Sequence, residues 1–545
     1  MVVMHDIVST IHKTLADATS RMIRYQSQHQ LPIEEFRTPF ELKLSHENRW
    51  VKLAEALPWD RLVNIYCRTL SKKHGRPAVG PRIVIGGLII KHKEDLSDEN
   101  TIQGIQENIY QQYFLGLHQY QYAPVFDPSL FVTIRKRIGV EAFDAMVLEL
   151  MRIATEQPLA SSAHPDDTPP SSSSTAAEGS EQNVASHTTP SPSDVPTTPA
   201  PSSPASSDTR PNAGTLIVDM TVAPADIAYP TDMELLNAAR EHTEALIDTL
   251  YTASPDTVKP RTYRRKARTA YLAFAKQRKK SLKTLRKALR KQLGYVGRNI
   301  KSIHTLLDTS AERVSFTERR TFWIVQELYR QQHAMYDAKT HRISDRIVSL
   351  AQPHVRPVVR GKAKASTEFG AQVSVSLMNG YSRVHRVAWD PYNEGADLRE
   401  QVERYRATYG CHPEIILADK KYGTKDNRAL MKHHGIRYGG TPLGRPRKDG
   451  VKDSLLPKAI VNQRNHIEGT FGRGKRSYGL DRIRARRIDT SASWIATIFF
   501  VMNLPLFLKS LGTTFLSSFL SALHWCCERW MRFTLGRKSS IFCVS

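Results

Sequence analysis

Cysteine is scarce in this chain of 545 residues, and its pattern excludes several classes of protein. The five cysteines form no C-x-x-C pair and no His/Cys spacing typical of a metal site: Cys67, Cys411, Cys526, Cys527 and Cys543. Structural zinc sites and disulfide frameworks both depend on such spacings. The sequence therefore argues against a zinc finger and a disulfide-rich secreted domain, and it fits a reducing cytosol.

Long apolar runs are also missing. The N-terminal MVVMHDIVSTIHK lacks the apolar centre of a signal peptide. The most apolar segment, WIATIFFVMNLPLFLK at 494–509, is interrupted by Asn503 and Pro505 and falls short of the ~20 residues that a membrane helix needs. We interpret this segment as a buried core helix, and we expect a cytoplasmic protein with no membrane partner.

One long stretch contains no acidic residue. Residues 259–301 hold 17 Lys/Arg and no carboxylate, in a chain with a formal net charge of +25. Pairs of opposite charge at i,i+4 cannot neutralise such a stretch, so the pattern favours a surface for nucleic-acid phosphates over a solvated charge run. A helical stripe of leucines runs through it, beside the basic candidates for DNA binding: Leu282, Leu285, Leu289 and Leu293, with Arg286, Lys287, Arg290 and Lys291.

The segment 155–213 has few apolar residues and consists mostly of Ser, Pro, Thr and Ala. Such a composition cannot bury enough apolar surface to offset the entropy of ordering, so we expect a disordered linker. It holds seven acidic residues against one basic residue, Arg210. The positive charge of the chain therefore belongs to the parts outside this linker.

Helices are predicted before the linker. Ser97 is a candidate N-cap for LSDENTIQGIQENIYQQYFLG, while Asp127 and Pro128 open VFDPSLFVTIRKRIG as N-cap and first helical residue. The second helix ends in the basic residues Arg135, Lys136 and Arg137. This pattern fits a helix-turn-helix-like DNA-binding module and a plain helical bundle about equally.

Strands and helices alternate after the linker. TLIVDMTVA (215–223) predicts a buried strand with Asp219 at its far end, and PEIILADKKYG predicts a strand that ends at Asp419. AQVSVSLMNG and YSRVHRVAWD predict a hairpin with its turn at Asn379-Gly380. The order of strand, long helical region (about 233–350), hairpin, helix, strand, helix, strand and helix is that of a ribonuclease H-like α/β fold with a helical insertion.

The stretch EGTFGRGKRS (468–477) contains G-x-x-x-x-G-K, most of a nucleotide-binding phosphate loop. A true phosphate loop follows a buried strand and has Ser or Thr after its lysine. Here polar VNQRNHIE precedes the glycines and Arg476 follows Lys475. On a continuous helix Arg464, Glu468 and Lys475 would instead fall at about 0°, 40° and 20°, on a single face. Gly472 and Gly474 are expected to end the helix and bring the backbone close to DNA.

Several phrases are similar to those of bacterial DDE insertion-sequence transposases of the "insertion sequence five" group. They are DMTVAPADIAYPTD, GYSRVHRVAWDPYNEG, ILADKKYGTKDNR, GGTPLGRP and EGTFGRGKRSYGL, with NRWVKLAEALPWD, GLIIKHKEDLSDE and ENIYQQYFLG nearer the N-terminus. The spacing Arg464-x3-Glu468-x6-Lys475 matches part of that group's signature, although Val461 stands where the signature has Tyr. The resemblance runs from about Leu31 to Leu508, apart from the linker.

The resemblance implies a catalytic triad of Asp219, Asp419 and Glu468, which would also hold the metal. Two Mg²⁺ ions, for which Mn²⁺ can substitute, would serve phosphodiester cleavage, and carboxylate oxygens suit them. Arg464 and Lys475 would contact DNA phosphates. Asp226 and Asp232 compete for the first position of the triad, but neither follows an apolar strand.

The resemblance also implies a domain organisation and partners. We expect a helical DNA-binding domain over 1–154, the linker over 155–213, the catalytic domain over 214–508 and a tail of unknown role over 509–545. The partners would be double-stranded DNA, as element ends and target, and further copies of the chain, with no nucleotide cofactor, near the bacterial nucleoid. A catalytically inactive DNA-binding protein and a nuclease or resolvase of the same fold are the alternatives.

Overall fold

The fold is taken from a computed structural model, which describes residues 43–70, 78–156, 211–252, 258–310, 314–359, 367–440 and 456–512. Nearly all of the predicted linker and tail, and most of the GGTPLGRP phrase, lie outside the described residues. Those from 43 to 154 and from 212 to 512 belong to one compact unit.

Short helices make up the N-terminal part, as predicted. They span Arg49–Ala56, Trp59–Cys67, Pro81–Lys93, Asp98–Glu107, Ile109–Phe114, Leu130–Arg137 and Val140–Glu156. The Ser97 hydroxyl accepts a hydrogen bond from the Asn100 N–H at 3.0 Å, which confirms the predicted cap. Two boundaries differ from the prediction: Asn108 ends one helix and caps the next, and the helix predicted from Pro128 begins at Leu130.

A mixed sheet follows, and the described part of the chain supplies six strands to it: β1 (Thr215–Pro224), β2 (Pro357–Val359), β3 (Thr367–Met378), β4 (Tyr381–Ala388), β5 (Ile415–Ala418) and β6 (Arg437–Tyr438). β1 is antiparallel to β3, which is antiparallel to β2 and β4. On its other edge β1 is parallel to β5, and β5 is parallel to β6. The sheet therefore has its antiparallel strands on one side of β1 and its parallel strands on the other.

The predicted hairpin joins β3 to β4. Its turn residues Asn379 and Gly380 have φ values of 50° and 84°, the left-handed pair that a tight hairpin turn requires. Helices Leu398–Tyr409 and Lys425–His433 then connect β4 to β5 and β5 to β6. The first of them ends at Gly410, as predicted, with φ 70°.

In the described residues between β1 and β2, the helical insert contains the helices Asp232–Thr252, Arg264–Ala275, Leu282–Ser310 and Phe316–Asp337. The insert packs its apolar residues into two clusters of its own, apart from the main core. Leu289 and Leu293 of the predicted stripe are buried there, and Leu285 packs against them. Leu282 is 75% exposed instead, because it is the first residue of its helix.

The apolar segment predicted as a core helix lies in the C-terminal helix, Ile488–Gly512. By length and composition this helix could span a membrane. However, 78% of its most apolar stretch is buried within the protein. Asn503 has a structural explanation. Its side-chain oxygen accepts from the N–H (2.9 Å) and the hydroxyl (3.0 Å) of Ser382 on β4, and its amide donates to the Ser382 carbonyl (2.8 Å).

We predict that Asn503→Leu lowers the free energy of unfolding by about 2–4 kcal/mol, because it leaves buried polar groups of Ser382 without partners. Denaturant unfolding measures this change. Asn64→Leu, at an exposed position inside another helix, is the control and should change stability by less than about 1 kcal/mol. Equal effects at the two positions would contradict the role given to Asn503.

Candidate active site at the junction of two parallel strands

Asp219 and Asp419 lie on neighbouring parallel strands. The pairing of β1 with β5 ends at Val218 and Ala418, so the two aspartates directly follow the last paired residues. Asp219 is at the fifth of ten positions of β1 rather than at its far end, since the strand continues along β3 to Pro224. The register therefore places the two carboxylates at the same level of the sheet.

Glu468 comes from the helix Asn465–Ser477, here called the Glu468 helix. The expectation that Gly472 and Gly474 end this helix is wrong, because it continues to Ser477. Gly474 has a packing role instead: a Cβ there would lie 3.0 Å from Leu480 and 3.1 Å from Met502. The continuous helix keeps Glu468 and Lys475 on one face, two turns apart.

The helical geometry also bears on the phosphate-loop motif. A phosphate loop binds its ligand through backbone N–H groups that are free of other partners. The residues from Gly469 to Lys475 are all helical, and short helical segments, not a strand, precede them. This stretch therefore lacks the geometry of a nucleotide-binding loop.

Arg464 joins two of the carboxylates. Its guanidinium lies 3.0 Å from Glu468 Oε1 and 3.7 Å from Asp419 Oδ1. The side chains of Asp419 and Glu468 are 48% and 54% exposed, so solvent or a ligand can reach them. Arg464 thus holds together carboxylates that repel each other, and it leaves their outer faces open.

Asp219 is a largely buried carboxylate with a raised pKa. Burial raises its pKa to about 6, against the lowering effect of the Met220 N–H, which donates to Oδ1 at 2.8 Å. The negative charges of Glu394 and Asp419 raise the pKa further, and Arg464 lowers it. A buried carboxylate facing other carboxylates is typical of sites that bind a cation or use a shifted pKa.

The donor chemistry fits a hard divalent cation. Asp219, Asp419 and Glu468 offer carboxylate oxygens, which Mg²⁺ prefers, and Asp219 carries an unfavourable negative charge that a cation would stabilise. In the side-chain arrangement of the described residues, no three acidic, histidine or cysteine side chains are grouped closely enough to hold a metal. Metal binding at this site would therefore require the carboxylate side chains to rearrange.

The competing aspartates have other partners. Asp226 forms an ion pair with Arg482 at 2.8 Å. Asp232 begins the helical insert and binds Arg346 at 2.7 Å and Gln332 at 2.9 Å. Both carboxylates thus connect parts of the structure to each other, which leaves Asp219 as the candidate on β1.

The three basic residues of the N-terminal part have different surroundings. Arg135 is 5% exposed and forms a two-pronged pair with Asp98, at 2.8 and 2.6 Å. Lys136 and Arg137 are exposed. Arg135 therefore lies in the interior. The residues at this helix end that DNA could reach are Lys136 and Arg137.

The basic candidates of the helical insert are mainly at its surface. Lys287, Arg290 and Lys291 are exposed. Arg286 is half-buried: its guanidinium lies 4.3 Å from the centre of the Tyr336 ring and donates to the Tyr336 carbonyl at 3.1 Å. Three of the four side chains are thus available to an anionic partner, and Arg286 also stabilises the insert.

Comparisons with known proteins point to one class. Residues 39–137 match the family described as "Transposase domain (DUF772)", and residues 416–505 match "Transposase DDE domain". The second match includes Asp419, Arg464, Glu468 and Lys475, and Asp219 lies outside it. The resemblance to DDE insertion-sequence transposases is thus confirmed in two separate parts of the chain.

A curated relative is similar over a shorter stretch. The "Uncharacterized protein ORF8 in nfe locus" of Rhizobium meliloti is 32% identical over 124 residues, which are 23% of this chain and 58% of that relative. The chain thus spans little more than half of the relative that it matches. No solved structure gives a significant match.

Asp219→Asn is expected to stabilise the metal-free protein by about 1–3 kcal/mol at pH 7.5. The pKa of Asp219 is raised to about 6 in the folded state. As the pH rises from about 3.9, the pKa of an unfolded aspartate, to about 6, the unfolded chain loses this proton before the folded protein does. The wild type therefore loses stability over this range, and the variant, which lacks the carboxyl group, loses less. Denaturant unfolding at pH 5 and 7.5 tests this, with exposed Asp481→Asn as the control. A variant less stable than the wild type at pH 7.5 would contradict it.

Proposed function

We propose that this chain is a DNA transposase that binds the ends of its insertion sequence and cuts and transfers DNA strands through Asp219, Asp419 and Glu468. The observation that carries the proposal is the arrangement of these carboxylates: two follow the last paired residues of adjacent parallel strands, and Arg464 links the second to Glu468. The two transposase domain matches support the same function.

The strand order supports a ribonuclease H-like fold for the catalytic domain, over residues 214–508. β1 is flanked by antiparallel β3, which carries β4, and by parallel β5, which carries β6. The helical insert separates β1 from the hairpin. In such a fold, Asp219 and Asp419 would share one site, next to the point where the pairing of β1 with β5 ends.

The residues of the site would have different roles. When bound, two Mg²⁺ ions would activate the attacking oxygen and stabilise the leaving one, with Mn²⁺ as a substitute. Asp219, Asp419 and Glu468 would hold the metal. Arg464 and Lys475 share the Glu468 face and would bind DNA phosphates, which accept the multiple donors of a guanidinium well.

The DNA surface would extend beyond the carboxylates. The helical insert offers Lys287, Arg290 and Lys291, and the N-terminal part, which would be the DNA-binding domain, offers Lys136 and Arg137. Their charges would attract the phosphates of the element ends and of target DNA. We further propose that the protein acts as a homo-oligomer on DNA, near the nucleoid and without a nucleotide cofactor.

Asp419→Asn is expected to reduce cleavage of DNA that carries the element ends by at least about 100-fold, because an amide cannot replace a metal-binding carboxylate. Binding to the same DNA should stay within about threefold, since the fold and the cations are unchanged. Gel shift and cleavage assays with Mg²⁺ measure the two quantities.

Asp426→Asn is the matched control, at an exposed aspartate in the helix that follows Asp419. It should cut like the wild type. Wild-type cleavage rates in the Asp419→Asn protein would remove Asp419 from the active site. A wild type that binds the ends but never cuts would favour an inactive DNA-binding protein.

Replacing Lys287, Arg290 and Lys291 together with Gln should weaken DNA binding and flatten its salt dependence. Each lost phosphate contact lowers the slope of log affinity against log salt by about 0.9, so the slope should fall by up to about three. Arg286 is left in place because it packs on Tyr336. Fluorescence anisotropy at several salt concentrations measures the slope.

The control replaces three cations exposed on other helices, Arg399, Lys425 and Lys432, in the same way. It removes equal charge from a different surface. If both triple variants change the slope equally, the effect reflects net charge, and the insert has no specific role in DNA binding.

A further inference from the structure

A buried carboxylate outside the proposed triad lies beside the turn that follows Asp419. Glu394 opens the short 3-10 helix Glu394–Asp397, which follows β4, and only 5% of it is exposed. Its negative charge is the largest charge effect on Asp219, ahead of those of Arg464 and Asp419. The sequence contained it in the phrase GYSRVHRVAWDPYNEG, but no spacing rule singled it out.

Glu394 forms an ion pair with Lys421. Its Oε1 lies 2.6 Å from Nζ of Lys421, whose side chain is 66% exposed. Lys421 belongs to the turn Lys420–Tyr422, directly after Asp419. The ammonium group can therefore turn towards solvent, whereas the buried carboxylate cannot.

Hydrogen bonds join the turn around Glu394 to the turn after Asp419. The Asn427 amide donates to the carbonyls of Gly395 (2.8 Å) and Tyr422 (2.9 Å). The backbones approach so closely that a Cβ on Gly395 would lie 2.7 Å from the Lys421 carbonyl. Glu394 is thus held at a fixed place beside the strand end that carries Asp419.

A second observation at the same place concerns Tyr422. Its side chain is fully buried, and its hydroxyl has no hydrogen-bond partner among the residues that the structure describes. Burial raises the pKa of Tyr422, and the charges of Glu394 and Asp219 raise it further. A buried hydroxyl without a partner among the described residues, in the turn after Asp419, indicates a place for a further polar ligand, such as water on a cation.

We propose that Glu394 is a positioning residue of the candidate metal site, whose fixed negative charge strengthens the binding of a divalent cation beside Asp219. Lys421 supplies the balancing positive charge while no cation is bound. The inference depends on the proposed function, because it adds a residue to the same metal site. It explains why the chain buries a carboxylate beside the strand end that carries Asp419, at a cost in stability.

The test measures Mn²⁺ binding to the full-length protein without DNA, by calorimetry and by the metal-dependent shift in melting temperature. Glu394→Gln keeps the shape of the side chain and leaves Lys421 as an excess positive charge. We expect it to weaken Mn²⁺ binding about tenfold, as is typical for residues that support metal ligands. Lys421→Met leaves Glu394 as an excess negative charge and should strengthen Mn²⁺ binding.

The opposite signs distinguish an electrostatic role from a merely structural one. Loss of the ion pair alone would shift both variants in the same direction. Glu400 and Arg404 provide the matched control, an ion pair at 2.7 Å on a neighbouring helix in which Glu400 is exposed and Arg404 is partly exposed. Glu400→Gln and Arg404→Met should leave Mn²⁺ binding unchanged.

Each outcome decides the inference. Shifts of opposite sign support it, and unchanged or same-sign shifts overturn it, while Asp219→Asn still abolishes binding and the proposed function stands. A wild type that binds no Mn²⁺ overturns both. If Glu394→Gln fails to fold, Lys421→Met decides alone: tighter binding supports the inference, and equal or weaker binding overturns it.

Discussion

The parallel pairing of β1 with β5 is the constraint on which the candidate site depends. It places Asp219 and Asp419 at the same level of the sheet, directly after Val218 and Ala418. Neighbouring carboxylates repel, and burial raises the pKa of Asp219 to about 6. Arg464 offsets part of this repulsion through Asp419 and Glu468. The pairing of the strands thus holds the two carboxylates in positions where their charges repel.

The N-terminal helices are part of the same core as the sheet. Apolar side chains of both, and of the C-terminal helix, form one cluster. Buried charges cross the boundary as well: Arg383 of β4 binds Asp144 at 2.8 and 2.7 Å, and Lys91 lies 4.6 Å from the centre of the Trp494 ring. The proposed DNA-binding domain is therefore packed firmly against the part that carries the carboxylates.

Much of the fold could be predicted because local signals were strong. The Ser97 cap, the Asn379-Gly380 turn and the apolar strand before Asp419 each depend on neighbouring residues. The prediction that two glycines end the Glu468 helix was wrong. Gly472 and Gly474 favour a break locally, but packing of the helix against Leu480 and Met502 decides against it. The two transposase matches confirm the class that the spacing of Arg464, Glu468 and Lys475 had indicated.

The sequence alone determined the positive charge, the strands that precede the two aspartates, and the helical face that presents Glu468. Only the tertiary structure decided which charges are buried. Arg135 and Lys136 are neighbours in the same basic run, yet Arg135 pairs with Asp98 in the interior and Lys136 faces solvent. Glu394 likewise became visible only where its turn packs beside Asp419. Burial and charge partners depend on contacts between residues far apart in the chain, and no local pattern records them.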